Sequence, residues 1–188
     1  MKKKLTFVIS APAGTGKTTL VRMIKEEFPH VVSSISYTTR PPRENEVEGR
    51  DYYFISQKEF EQKIQEGEFL EYAQVFDHYY GTSEQVIDSL HKKQKHVVLV
   101  IDTQGALKIK SKIDAVFIFI SPPSFEELKA RLRRRKSETE EAIETRLSWA
   151  EKEMALAPSY DYHIVNDHLK EAYDTLRSIF IAEEHRNR

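Results

Sequence analysis

Leu5-Thr6-Phe7-Val8-Ile9-Ser10-Ala11-Pro12-Ala13-Gly14-Thr15-Gly16-Lys17-Thr18-Thr19-Leu20-Val21 is the stretch that decides the fold. It begins as a short apolar run and turns through two glycines. It then resumes with Leu20, Val21 and Ile24 at helical spacing, so the order is strand, glycine turn, helix. That order is the context a phosphate loop requires. Gly14 and Gly16 allow the backbone to curl until successive N–H groups point at one anion, and the following helix adds the positive end of its dipole. Lys17 can reach terminal phosphates, and the Thr18 hydroxyl is placed for a magnesium ion. The usual pattern opens with glycine where this chain has Ala11, a small residue that fits if its φ is negative.

Outward from the loop, the helix is expected to stop near Phe28, ahead of Pro29. From Ser33 to about Tyr80 the β-like runs 34–38, 52–55 and 69–76 surround one short helix. Ser56 with Glu59 forms a capping box for that helix, and Gly67 suits its end. A helix over 83–93 leads to the continuous apolar run 97–101, and a second such run spans 115–120. Both read as buried strands of a parallel sheet. Ser124 with Glu127, and Ser137 with Glu140, are capping boxes for two further helices, the second ending near Pro158. A strand at 162–165 and a helix carrying Ala172, Leu176, Ile179 and Phe180 close the chain. The fold class is therefore α/β, a parallel sheet with helices on both faces, of the phosphate-loop type, with a small β-rich insertion.

A length of 188 residues suits one domain, and 31% charged with 39% hydrophobic residues is ordinary for a globule. A formal net charge of −1 speaks against a general nucleic-acid or anionic-membrane binder. With no cysteine there is neither a disulfide nor a thiolate metal site, and no run approaches the roughly 20 apolar residues of a membrane span. A cytoplasmic protein without an obligatory protein partner is expected.

Three further clusters carry chemistry. Arg40 and Arg43 flank Pro41-Pro42, and two guanidinium forks so close suit a dianionic phosphate, or simply a solvated loop. Asp102, at the end of a buried strand, could serve magnesium or a polar ligand, or could cap the next helix. The run Arg131-Leu132-Arg133-Arg134-Arg135-Lys136 is a solvated helix terminus or a lid that carries arginines to a transferring phosphoryl group.

Together the loop 11–19, S-Y-T-T-R-P-P-R at 36–43, E-x-x-G-R-D-Y at 46–52, F-L-E-Y-A at 69–73, Y-Y-G-T at 79–82, I-D-T-Q-G at 101–105, the arginine-rich 131–141, Arg146 and I-V-N-D at 164–167 resemble the guanylate kinase family over nearly the whole chain. The resemblance implies transfer of the ATP γ-phosphoryl group to GMP, and to dGMP, with Mg2+ and without a covalent enzyme intermediate. It implies an ATP site of Ala11, Pro12, Ala13, Gly14, Thr15, Gly16, Lys17, Thr18, Thr19 and Asn166, with Thr18 on the metal. Arg40, Arg43, Tyr52 and Tyr80 would grip the GMP phosphate, and Ser36, Glu71, Thr82 and Asp102 would read the base. Lys17, Arg131, Arg135 and Arg146 would neutralise charge during transfer. The domain 1–188 would divide into a core of 1–32, 83–125 and 157–188, a GMP-binding insertion of 33–82 and a lid of 126–156. The base chemistry is consistent: guanine offers N1–H and N2–H₂ side by side, which a carboxylate such as Glu71 accepts together, and Ser36 and Thr82 can donate to O6.

Three other readings compete. A non-catalytic guanylate-kinase-like binding module loses parts of the loop, yet Gly14, Gly16, Lys17 and Thr18 are present. Another nucleoside monophosphate kinase would not need Glu71 with Ser36 and Thr82. A regulatory GTPase would require an N-K-x-D motif, which does not occur. One departure bears on the metal: the family usually has L-D-I-D where this chain reads Leu99-Val100-Ile101-Asp102.

Overall fold

The structure, a computed structural model, describes residues 4–75, 77–134 and 139–187. Strand β1 (Thr6–Ser10) is buried along its whole length and leads through the loop into α1 (Lys17–Glu27), whose Leu20, Val21 and Ile24 are the buried face. Strands β2 (Val31–Ser33), β7 (His96–Val100), β8 (Val116–Ser121) and β9 (Tyr162–Val165) join β1 in a five-stranded sheet of order β2-β7-β1-β8-β9. Strand β2 pairs with β7, and β8 with β9, in parallel, the arrangement expected of strands joined through helices. A second sheet of order β4-β3-β6-β5 is formed by β3 (Tyr37–Thr38), β4 (Tyr53–Phe54), β5 (Phe69–Val75) and β6 (His78–Ser83).

The chain packs as two compact units, 1–7 with 30–115 and 8–29 with 116–188. The first contains the smaller sheet, with α2 (Gln57–Gln65), α3 (Glu84–Lys92) and α4 (Thr103–Ile109). The Ser56–Glu59 capping box is formed on both sides, and Gly67 takes φ 68 just beyond the end of α2. Phe60 of α2 is fully buried and stacks on Phe69 and Tyr79, which fastens the helix to the sheet.

In the second unit α5 (Phe125–Arg134) and α6 (Glu140–Met154) pack through Leu128, Leu132, Ile143, Leu147 and Ala150, and α7 (Leu169–His185) lies on α1. Ser124 accepts from the Glu127 N–H, one half of the expected box, while the Glu127 carboxylate accepts from Arg131. The expected Ser137–Glu140 box falls partly outside the described residues. The helix itself begins at Glu140 with Thr139 as its N-cap, accepting from the Ala142 N–H, and it ends at Met154, ahead of a 3-10 turn at Ala157–Ser159.

Candidate active site

In the second unit, Gly14 and Gly16 take φ 92 and φ 90, the left-handed region that L side chains rarely adopt. The dissenting position raises no such demand, because Ala11 does not have positive φ and its methyl is buried. Thr15 fixes the curl: its N–H and its hydroxyl both donate to the Pro12 carbonyl, at 3.4 and 2.9 Å. The Thr15 carbonyl in turn accepts from Asn166 Nδ2 at 2.6 Å, and Asn166 is only 4% exposed. A Cβ on Gly16 would lie 2.5 Å from that same nitrogen, so the glycine is needed for space as well as for φ. Gly16 caps α1 without a side-chain hydrogen bond, and Lys17 and the exposed Thr18 open the first turn, a helix N-terminus suited to anions.

Helix α5 leans on this loop, since Leu132 and Leu128 are the atoms that a Cβ on Gly14 would meet, at 3.0 and 3.3 Å. Arg131 of α5 is anchored there too. Its Nε donates to Glu127 at 2.8 Å, and its terminal nitrogens donate to the carbonyls of Asn166 at 2.9 Å and Asp167 at 3.5 Å. Of the expected catalytic arginines, Arg131 thus joins Asn166 beside the loop and Arg146 is half-buried on α6, whereas Arg135 lies outside the described residues.

In the first unit, Glu71, Tyr80 and Thr82 lie on strands of the small sheet, Ser36, Arg40, Arg43 and Tyr52 on the segments flanking β3 and β4, and Asp102 at the start of α4. Tyr52 and Tyr80 meet edge to face at 5.9 Å, and the Arg40 guanidinium lies over the rings of Tyr52 and Phe54, at 5.6 and 5.9 Å. A residue given no role in the sequence reading completes this group. Glu46 accepts from Arg40 at 2.7 and 2.8 Å and from the Arg43 N–H at 2.8 Å. Burial alone would raise the Glu46 carboxyl, but the hydrogen bonds from Arg43 and Arg40 outweigh it and hold the group below its ordinary value. The Glu46 carboxylate is thus the anion that these donors hold in this structure. The Arg43 side chain itself is exposed.

Glu71 sits on β5 and is 6% exposed, with Oε1 accepting from the fully buried Thr82 hydroxyl of β6 at 2.6 Å. Burial pushes its carboxyl up to about 7. The Thr82 hydrogen bond opposes that rise, nearby Asp102 adds to it, and Lys108 works against it. Asp102 is the N-cap of α4, its Oδ1 accepting from the N–H groups of Gln104 and Gly105 at 2.8 and 3.0 Å. Of the roles open to Asp102, capping is thus one it fills. Ser36 is half-buried, and its carbonyl accepts from the Tyr53 N–H beside β3.

A buried strand, a turn through two positive-φ glycines and a helix, set in a five-stranded sheet, define a protein of the phosphate-loop class. Residues 3–183 match the family model described as guanylate kinase. A guanylate kinase of Protochlamydia amoebophila (strain UWE25) is 57% identical over 185 residues, 98% of this chain and 94% of that protein. One from Chlamydia felis (strain Fe/C-56) is 53% identical over 182 residues, 96% and 89% of the two chains. The crystal structure of guanylate kinase from Anaplasma phagocytophilum superposes with a TM-score of 0.80 at 34% identity, covering all of this chain and 89% of that one. The chain belongs to the guanylate kinase family. Among the described residues no helix is long and apolar enough to cross a membrane.

Proposed function

We propose that this chain transfers the γ-phosphoryl group of ATP to GMP, giving ADP and GDP, with Mg2+ accompanying the donor nucleotide. The observation that carries the reading is Glu71: a carboxylate buried beside Thr82 is costly unless a ligand uses it, and two adjacent donors on guanine are such a ligand. Ser36, Thr82 and Asp102 would complete the base contacts, and Arg40, Arg43, Tyr52 and Tyr80 would hold the phosphate in place of Glu46. The segment 33–82 would act as the GMP-binding insertion, 126–156 as the lid, and 1–32, 83–125 and 157–188 as the core.

On the donor side, the loop 11–19 and Asn166 would cradle ATP. Lys17, Arg131, Arg135 and Arg146 would offset the charge that spreads over the phosphoryl oxygens during an in-line transfer, with no covalent intermediate. Enclosing the substrates would keep water from becoming the acceptor. When bound, Mg2+ supplies charge neutralisation on the phosphates. Thr18 fits it, because its exposed hydroxyl stands in the first turn of α1 and this ion takes most of its ligands from phosphates and water. Val100, at the end of β7, offers no oxygen where the family usually has aspartate.

The expected result is an active enzyme whose magnesium requirement falls in Val100→Asp, by roughly 2–10-fold in half-saturating concentration. Release of ADP that depends on GMP, followed through a magnesium titration of both proteins, checks this. No activity at any magnesium concentration in the natural chain would refute the kinase reading, and coincident curves would remove Val100 from metal binding.

A further inference from the structure

Gly105 lies in the first turn of α4, its N–H donating to the Asp102 cap, and is buried, and its φ is not positive. Its backbone therefore has no need of glycine, and alanine is the better helix former. What the position lacks is room. A Cβ there would lie 2.5 Å from Glu71 Oε2 and 3.1 Å from Glu71 Cδ, with Asp102 Oδ2 at 3.5 Å.

Neither side can readily withdraw. Glu71 Oε1 is held by Thr82 at 2.6 Å, so displacing Oε2 turns the carboxylate and strains or breaks that bond. Helix α4 is fastened to β5 one turn further on, where Lys108 Nζ donates to the Tyr72 carbonyl at 3.0 Å. Ala106 and Ile109 of the helix are completely buried. The helix thus rests its bare Cα against a carboxylate, and the other oxygen of that carboxylate is set by a hydroxyl from the neighbouring strand.

We infer that Gly105 is a positioning residue for base specificity: its missing side chain leaves the space in which Glu71 holds the orientation that accepts both guanine donors. The inference rests on Glu71 as the guanine reader. It extends recognition to α4, which contributes by what it omits.

The test is Gly105→Ala, assayed with ATP against GMP and against IMP, which lacks the 2-amino donor. We expect KM for GMP to rise roughly 10–100-fold with kcat changed by less than about threefold, and the preference for GMP over IMP to shrink in step. ATP affinity, measured by titration, should stay unchanged. The same substitution is then placed in Glu71→Ala, where no carboxylate remains for the new methyl to displace. There it should alter KM for GMP by less than about twofold. Should Gly105→Ala alone melt below the assay temperature, adding Glu71→Ala should restore its Tm. An unchanged KM in Gly105→Ala, an equal increment in the Glu71→Ala background, or a Tm that is not restored would each overturn the proposal. The reading beneath it fails separately: Glu71→Ala that keeps the full GMP preference removes Glu71 as the base reader. Loss of preference in Glu71→Ala with a silent Gly105→Ala removes Gly105 alone.

Discussion

Lys17→Ala is expected to lower kcat for GMP-dependent ADP release by roughly 10²–10³-fold, the loss that follows removal of one preorganised charge partner of a transferring group. Lys17 is the first residue of α1, directly after the positive-φ Gly16. The bonds that set the loop's curvature, Thr15 to Pro12 and Asn166 to Thr15, do not use the Lys17 side chain. The variant should keep those bonds and still unfold cooperatively while turnover collapses. Steady-state kinetics beside a thermal melt measures both. A variant within about threefold of full activity would show that charge on the phosphates is met elsewhere.

Glu71→Gln should cost roughly 10²-fold or more in kcat/KM for GMP, because an amide presents one acceptor where two donors arrive and leaves a buried donor facing a donor. ATP binding should be untouched. The same substitution should stabilise the fold, and the sign follows from the elevated carboxyl. With a folded value of about 7 against 4.5 for the free group, the folded chain binds the proton more tightly than the unfolded one. The penalty for burying Glu71 is thus absent below about pH 4.5, grows as pH rises, and is complete above about pH 7, where it reaches on the order of 3 kcal/mol. Glutamine carries no such penalty, so the Tm advantage of the variant should widen from pH 5 to pH 8. GMP affinity should move the other way in the natural chain, weakening as pH falls through 7 and the carboxylate takes up its proton. In the variant only the titration of the GMP phosphate should remain. Calorimetric titration at several pH values resolves this, and parallel affinity curves for the two proteins would contradict the role of Glu71.

Much of this arrangement was legible in the residues, for identifiable reasons. The loop is legible because the glycines at 14 and 16 answer a demand of backbone geometry, and both take left-handed φ. Strands β7 and β8 could be read because burial on both faces makes them continuously apolar. Strand β6 was not read, because His78-Tyr79-Tyr80-Gly81-Thr82-Ser83 is polar and its outline is set by pairing with β5 and β3. Val31–Ser33 is too short after Pro29 for its pairing with β7 to be visible as periodicity. The expected strand over 34–38 shrinks to Tyr37–Thr38, because Ser34 bonds instead to the Val98 carbonyl. In the helix after the arginine run Thr139 is the cap, a residue whose hydroxyl suits the role as well as that of Ser137, two positions earlier in the sequence. Glu46 escaped for another reason. An acid among arginines reads as ordinary surface charge until the fold shows Arg40 donating to both of its oxygens.

Phosphorylation of GMP by this chain is read out by ADP formation from ATP and magnesium with GMP, dGMP, AMP, IMP, CMP or UMP as acceptor. We expect rapid turnover with GMP, preserved in kind with dGMP, and a preference over AMP of roughly 10³–10⁴-fold, because adenine would leave Glu71 facing no paired donors. Equal turnover with AMP, or no ADP with any of the six acceptors, would contradict it.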